Sequence, residues 1–205
     1  MNATVALARL RALGVPVVRT SDAAAALRLS TFAASQTLTR LAAAQLVRSV
    51  RHGVWWLDGE IDPYHLPEQL TAPMPSYLSL QTALHIHGLI EQIPSVYYAA
   101  SLARTQRIVT SVGTFSIHHV APEVFGGFVE TKEGVLLATP EKALFDVAYL
   151  SGGRSRLFTS LPELELPRRF RRAELRRWVE RIPSMRGRTL TTRKLEQLLA
   201  CAGKG

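Results

Sequence analysis

The sequence predicts an α+β protein of two domains, and three observations support this prediction. Two short amphipathic segments, residues 21–29 and 31–46, are followed directly by an alternating basic run at residues 47–57. A cluster of prolines between residues 63 and 75 separates this part from the rest. Beyond the cluster, strand-like runs are interspersed with helical patterns. We therefore expect an N-terminal winged helix-turn-helix followed by a mixed α/β C-terminal domain.

The prolines also set the expected boundaries. We predict a first domain over residues 1–66, a linker over residues 67–75 and a second domain over residues 76–205. The length of 205 residues suits two small domains or one large one, and 47% hydrophobic residues is ordinary for a chain that buries a core.

The third helix of the first domain is the element that we expect to meet DNA. Ser30 or Thr31 caps its start, and Leu38, Leu41 and Leu46 are predicted to line its buried side. A helix pair followed by a basic hairpin places the second helix in the major groove. Glutamine reads adenine and arginine reads guanine, whereas serine and threonine more often hold phosphate. The predicted contact residues on the polar side are Thr31, Ser35, Gln36, Thr39 and Arg40.

The basic run after this helix predicts the wing. Its turn is expected at His52-Gly53, because glycine tolerates the positive φ of a tight hairpin. Arg48, Arg51 and His52 are candidates for contacts to phosphate or to the minor groove. We interpret Trp55 and Trp56 as core or interface residues rather than as platforms for base stacking.

The second domain is predicted to mix helices and strands. A helix is expected from Ser76 to about His87, and another from Thr139-Pro140-Glu141 to Gly152-Gly153. Two further helices are predicted over residues 168–182 and 192–200, from their apolar spacing. The predicted strands are residues 96–100, 107–112, 115–119, 128–131 and 135–138.

Positive charge is concentrated near the C-terminus. The net charge is +9, and residues 151–205 carry fourteen Lys and Arg against five Asp and Glu. Such a surface attracts phosphate or an acidic protein face, although a solvated helix is an alternative. The candidates for this secondary contact are Arg168, Arg169, Arg172 and Arg176.

Two segments of the second domain resemble the AbiEi-type antitoxins. They are PSYLSLQTALHIHGLI at residues 75–90 and ATPEKALFD at residues 138–146, and the order of domains is also similar along nearly the whole chain. The resemblance implies a non-enzymatic, DNA-binding antitoxin that represses its own operon at repeated promoter sequences. It also implies a nucleotidyltransferase-like toxin as partner, which the C-terminal domain neutralises with or without a stable complex. We expect a monomer or weak dimer in solution and two copies on the operator.

Several alternatives remain open at this level. His85-x-His87 and His118-His119 suggest metal ligands, but neither spacing places both rings on one face, so we expect no metal and no cofactor. Glu130-Thr131-Lys132, with Asp146, matches the spacing of a metal-dependent nuclease. The main alternative to an antitoxin is a winged-helix repressor whose second domain binds a small ligand or a partner.

Location follows from what the sequence lacks. No run approaches the roughly 20 apolar residues that span a bilayer. The N-terminus has no signal-peptide pattern, and the single cysteine, Cys201, cannot form an internal disulfide. We therefore expect a cytoplasmic protein with no membrane partner.

Overall fold

The protein combines helices with two β-sheets, as expected for its fold class. The structure, a computed structural model, describes residues 2–57, 59–151 and 163–202. The chain divides into two compact units. The first comprises Met1–Gln69 with Val109–Gly113, and the second comprises Leu70–Ile108 with Thr114–Gly205. Most of the short helix α4, Leu66–Thr71, falls within the range predicted as a linker.

The first unit contains three helices and a three-stranded sheet. In chain order these are α1 (Ala3–Arg11), β1 (Val17–Arg19), α2 (Thr20–Leu27), α3 (Thr31–Ala43), β2 (Arg48–Arg51) and β3 (Val54–Trp56). Both neighbours of the central strand β3 run antiparallel to it, in the order β1-β3-β2. The helices and the sheet enclose one core, which includes Leu10, Leu38 and Leu41.

The third helix begins where the sequence predicts and ends earlier. The Ser30 hydroxyl accepts a hydrogen bond from the Ala33 amide at 3.2 Å, which confirms its capping role. Gln45 adopts a φ of +58°, and the Leu46 amide donates to the Leu41 carbonyl at 2.9 Å. This pattern reverses the chain after the helix, so Leu46 is 40% exposed and its predicted place in the core is wrong. The reversal uses glutamine instead of the usual glycine, so the sequence carried no stop signal.

The hairpin turn and the tryptophans agree with the sequence. Gly53 lies in the turn between β2 and β3 with a φ of +77°. Trp55 and Trp56 are both buried, which confirms that they belong to the core. The Trp55 indole donates to the Thr20 hydroxyl at 2.9 Å.

The second unit is built on a six-stranded mixed sheet in the order β6-β7-β5-β4-β9-β8. Parallel pairs join β4 to β9 and β5 to β7, whereas β4 with β5 and β8 with β9 are antiparallel. The strands are β4 (Ser76–Leu78), β5 (Tyr97–Ser101), β6 (Gln106–Thr110), β7 (Gly113–His119), β8 (Phe128–Glu130) and β9 (Leu136–Ala138).

Helix α6 is the centre of the helical layer. It contacts α5, α7 and α8, and its residues from Glu141 to Ala148 are buried. The Thr139 hydroxyl accepts from the Lys142 amide at 3.3 Å, which confirms the predicted helix start. The predicted end at Gly152-Gly153 lies outside the described residues. The helices of this unit are α5 (Leu80–Ile86), α6 (Pro140–Ser151), α7 (Arg172–Glu180) and α8 (Met185–Cys201).

The prediction of a helix from Ser76 is wrong. Residues Ser76–Leu78 form a strand, and the helix begins only at Leu80. Strand β4 has neighbours on both edges, β5 and β9, and all three of its residues are buried. Pairing on both edges outweighs the local helix signal, because it satisfies the backbone groups of a fully buried segment. The last two helices also differ in their bounds, since α8 starts seven residues before the predicted one.

Candidate nucleic-acid interface

Helix α3 separates its residues into two sides. Ala34, Thr37, Leu38 and Leu41 are buried. The five predicted contact residues fall on the other side, where Thr31, Gln36, Thr39 and Arg40 are exposed and Ser35 is half-buried. A helix of the first unit therefore presents a polar surface about two turns long.

The side chains on this surface differ in how many hydrogen bonds they already make within the protein. The Thr39 hydroxyl donates to the Ser35 carbonyl at 2.9 Å, so one of its hydrogen bonds is already made. Among the residues that the structure describes, Arg40 makes only hydrogen bonds of 3.4 Å, from Nε to the Gln36 carbonyl and from Nη2 to the Thr37 hydroxyl. Within the part of the chain that the structure describes, the Gln36 amide makes no hydrogen bond. Gln36 and Arg40 therefore keep most of their donors and acceptors for a ligand.

The hairpin after α3 carries the three predicted wing residues. Arg48, Arg51 and His52 are exposed, and the intervening Val50 is buried. Among the described residues, neither Arg48 nor Arg51 has a carboxylate within the 4.0 Å of an ion pair, and the same holds for Arg40. Unpaired guanidinium groups attract phosphate more strongly than paired ones, because no internal anion has to be displaced.

Sequence reasoning missed one member of this surface, Phe32. Its side chain is 74% exposed in the first turn of α3. The signal that could have found it is its position, since Phe32 precedes Ser35 by three residues and Gln36 by four. An apolar residue at that spacing from polar ones lies on the polar side of the helix.

The four predicted arginines of the C-terminal region are exposed, and two of their neighbours are paired. Arg177 lies 2.8 Å from Glu174, and Arg171 lies 3.9 Å from both Glu141 and Glu174. Arg172 and Arg176 have no ion pair with any residue that the structure describes. They line a groove of about 560 Å³ between α7 and α8. Its other lining residues are Leu175, Val179, Glu180, Thr192, Leu195, Glu196 and Leu199.

A buried charged cluster inside the second unit was also not predicted. Lys142 and Asp146 form an ion pair on α6 with both side chains fully buried. The Asp146 carboxylate also accepts hydrogen bonds from the Tyr77 hydroxyl at 3.0 Å and from the Ser79 hydroxyl at 2.7 Å. The Lys142 ammonium lies 4.7 Å from the Trp178 ring centroid. In sequence, Lys142 and Asp146 look like an ordinary surface pair at i and i+4.

Burial dominates the electrostatics of this cluster. Desolvation lowers the pKa of Lys142, although the neighbouring Asp146 opposes that shift. Desolvation also raises the pKa of Tyr77, and the Asp146 charge adds to the rise. The cluster is closed, since Trp178 and Lys142 pack so tightly on Gly127 that a β-carbon there would lie 2.5 Å from the Trp178 ring. With both charged side chains at 0% exposure, the described residues leave no opening to this cluster for a ligand.

The groups considered for metal chemistry differ in exposure and in their hydrogen-bond partners. Asp146 has no exposed surface, whereas Glu130 and Lys132 are exposed. His87 lies 2.7 Å from the Ala138 carbonyl oxygen, and His118 lies 2.9 Å from the Ser116 hydroxyl. Burial lowers the pKa of His118. In the described ranges, no three His, Cys, Asp or Glu side chains come together as a metal site.

Comparison with known proteins gives no further assignment. No family model matches the chain, and no curated protein matches it. Among the described residues, no helix has the length and apolar content required to cross a bilayer.

Proposed function

We propose that this chain is a sequence-specific DNA-binding protein whose first unit is a winged helix-turn-helix. The element order α1-β1-α2-α3-β2-β3, with β3 central in its sheet, supports this proposal. The observation that carries it is the polar side of α3, where Gln36 and Arg40 keep free donors and acceptors. In the proposed complex, α3 enters the major groove, and Arg48, Arg51 and His52 approach the backbone.

We further propose that the protein is an antitoxin of the AbiEi type that represses its own operon. This part rests on the sequence resemblance at residues 75–90 and 138–146. The second unit would neutralise a nucleotidyltransferase-like toxin without being an enzyme itself. Two copies would bind a repeated operator, since a single helix and wing read only a short half-site.

The test is a gel shift and a footprint on the DNA upstream of the gene, at two salt concentrations. The proposal predicts protection of a repeat that persists in excess competitor DNA, because base contacts discriminate where phosphate contacts do not. Uniform binding that competitor abolishes would contradict it. Growth rescue on co-expression with the neighbouring gene then tests the antitoxin role.

The groove between α7 and α8 favours a second candidate function. Its apolar floor and charged rim are typical of sites for a small ligand or a peptide. In this alternative, the protein is a repressor released from DNA by an effector and has no toxin partner. A compound that abolishes the specific gel shift would favour the repressor, and a toxic neighbouring gene would favour the antitoxin.

The C-terminal arginines give a prediction that separates their two proposed partners. Replacing Arg169, Arg172 and Arg176 by glutamine should reduce the slope of log K against log salt by up to about 3, if each arginine neutralises one phosphate. The matched control is Arg177→Gln, because Arg177 is already paired with Glu174. An unchanged slope in the triple variant would show that these arginines do not contact DNA and instead face a protein partner or solvent.

A further inference from the structure

Phe32 differs in exposure from the other large apolar residues of its helix. Every other apolar side chain of α3 larger than alanine is buried, whereas Phe32 is 74% exposed. An exposed aromatic ring on a soluble surface is common and needs no explanation by itself. Its position distinguishes this one, because it shares a helix side with the polar residues that we propose to read DNA.

The spacing aligns Phe32 with those residues. Ser35, Gln36 and Thr39 follow it by three, four and seven positions, which is one side of an α-helix. Phe32 is the second residue of α3, after the Ser30 cap and Thr31. In a helix-turn-helix, the N-terminal residues of the recognition helix approach the base edges most closely. Phe32 would therefore enter the major groove ahead of Gln36.

The chemistry of the ring limits what it can recognise there. A phenyl group has no donor or acceptor, so it cannot read the hydrogen-bonding edges of the bases or hold phosphate. The major groove offers one apolar group that depends on sequence, the C5-methyl of thymine. We propose that Phe32 packs against a thymine C5-methyl in the operator and specifies a T·A pair at that position. This inference rests on the proposed DNA-binding function.

Phe32 adds an apolar contact to the readout of bases by polar groups. Gln36 lies one turn further along the helix and reads an adjacent base pair by hydrogen bonds, and Phe32 discriminates thymine from cytosine by contact alone. Loss of the Phe32 ring should then relax specificity at one position and leave the others intact.

The experiment replaces each thymine of the footprinted site, one at a time, by deoxyuridine, which lacks only the methyl group. At one thymine per half-site, this replacement should lower the affinity of the wild-type protein for the DNA about fourfold, the value expected for burying one methyl group. In Phe32→Ala, the same replacement should have no effect, and Phe32→Leu should retain part of it. The control is Val5→Ala, an apolar residue of α1 that is 46% exposed.

The possible results distinguish the role of Phe32 from the proposed DNA binding itself. The wild-type protein could bind specifically without depending on any thymine methyl group, or the dependence on a methyl group could persist in Phe32→Ala. Either result would overturn the role of Phe32 and leave the proposed DNA binding intact. Failure of the wild-type protein to bind its upstream DNA specifically would overturn both. Thermal unfolding of Phe32→Ala should match wild type, because the Phe32 side chain is mostly exposed.

Discussion

Replacing Asp146 by alanine is expected to destabilise the second unit by about 3–5 kcal/mol, the usual cost of removing one partner of a buried ion pair. The change leaves the Lys142 ammonium fully buried without its anion. It also removes the acceptor for the Tyr77 and Ser79 hydroxyls. Urea unfolding followed by the fluorescence of Trp178, which lies against Lys142, measures the loss. Replacing Trp55 and Trp56 by phenylalanine in the background removes the signals from the first unit.

Two controls test the cause of this loss. The double variant Lys142→Met, Asp146→Asn removes both charges and keeps an amide oxygen for the hydroxyls, so it should recover most of the stability. Arg177→Ala breaks an exposed pair with Glu174 and should cost less than about 1 kcal/mol. Equal losses for Asp146→Ala and for the double variant would show that packing, and not the unpaired charge, sets the cost.

The second large effect concerns DNA discrimination. Gln36→Ala with Arg40→Ala should reduce the preference for operator over scrambled DNA by on the order of a hundredfold or more, because each residue can supply one bidentate base contact. Both side chains are exposed, so thermal unfolding of the first unit should change little. Growth rescue against the proposed toxin should persist, since we propose that the second unit provides it.

The measurement is competition binding with both DNAs at one fixed salt concentration. Arg9→Ala, an exposed arginine on α1, is the matched loss of one positive charge away from α3. It should change both affinities alike and leave their ratio unchanged. A double variant that retains the wild-type ratio would show that α3 is not the reading element.

The local sequence determined much of the first unit. The Ser30 cap and the spacing of Leu38 and Leu41 predicted where α3 starts and which side it buries. Gly53 predicted the hairpin turn. These signals operate over a few residues, because a cap, a helical period and a turn each depend only on near neighbours. The polar side of α3 could be predicted for the same reason, as the complement of its buried side.

The ends of the same elements were harder to predict. At the chain reversal after α3, Gln45 adopts the left-handed conformation. A glycine at this position would have predicted the end of the helix from the sequence. At the start of α2, the Thr20 hydroxyl accepts a hydrogen bond from the Trp55 indole, which lies 35 residues away in the sequence. The residue types of Gln45 and Thr20 signal neither arrangement.

In the second unit, the sequence by itself determined the mixture of helices and strands and the start of α6. Only the tertiary structure decided that Ser76–Leu78 is a central strand and that Lys142 and Asp146 are buried. A strand between two others depends on partners such as Ser101 and Leu137, which lie far away in the sequence. A charge is tolerated inside the protein only where distant groups, here Tyr77 and Trp178, surround it. Such contacts are long-range, so no pattern along the chain encodes them.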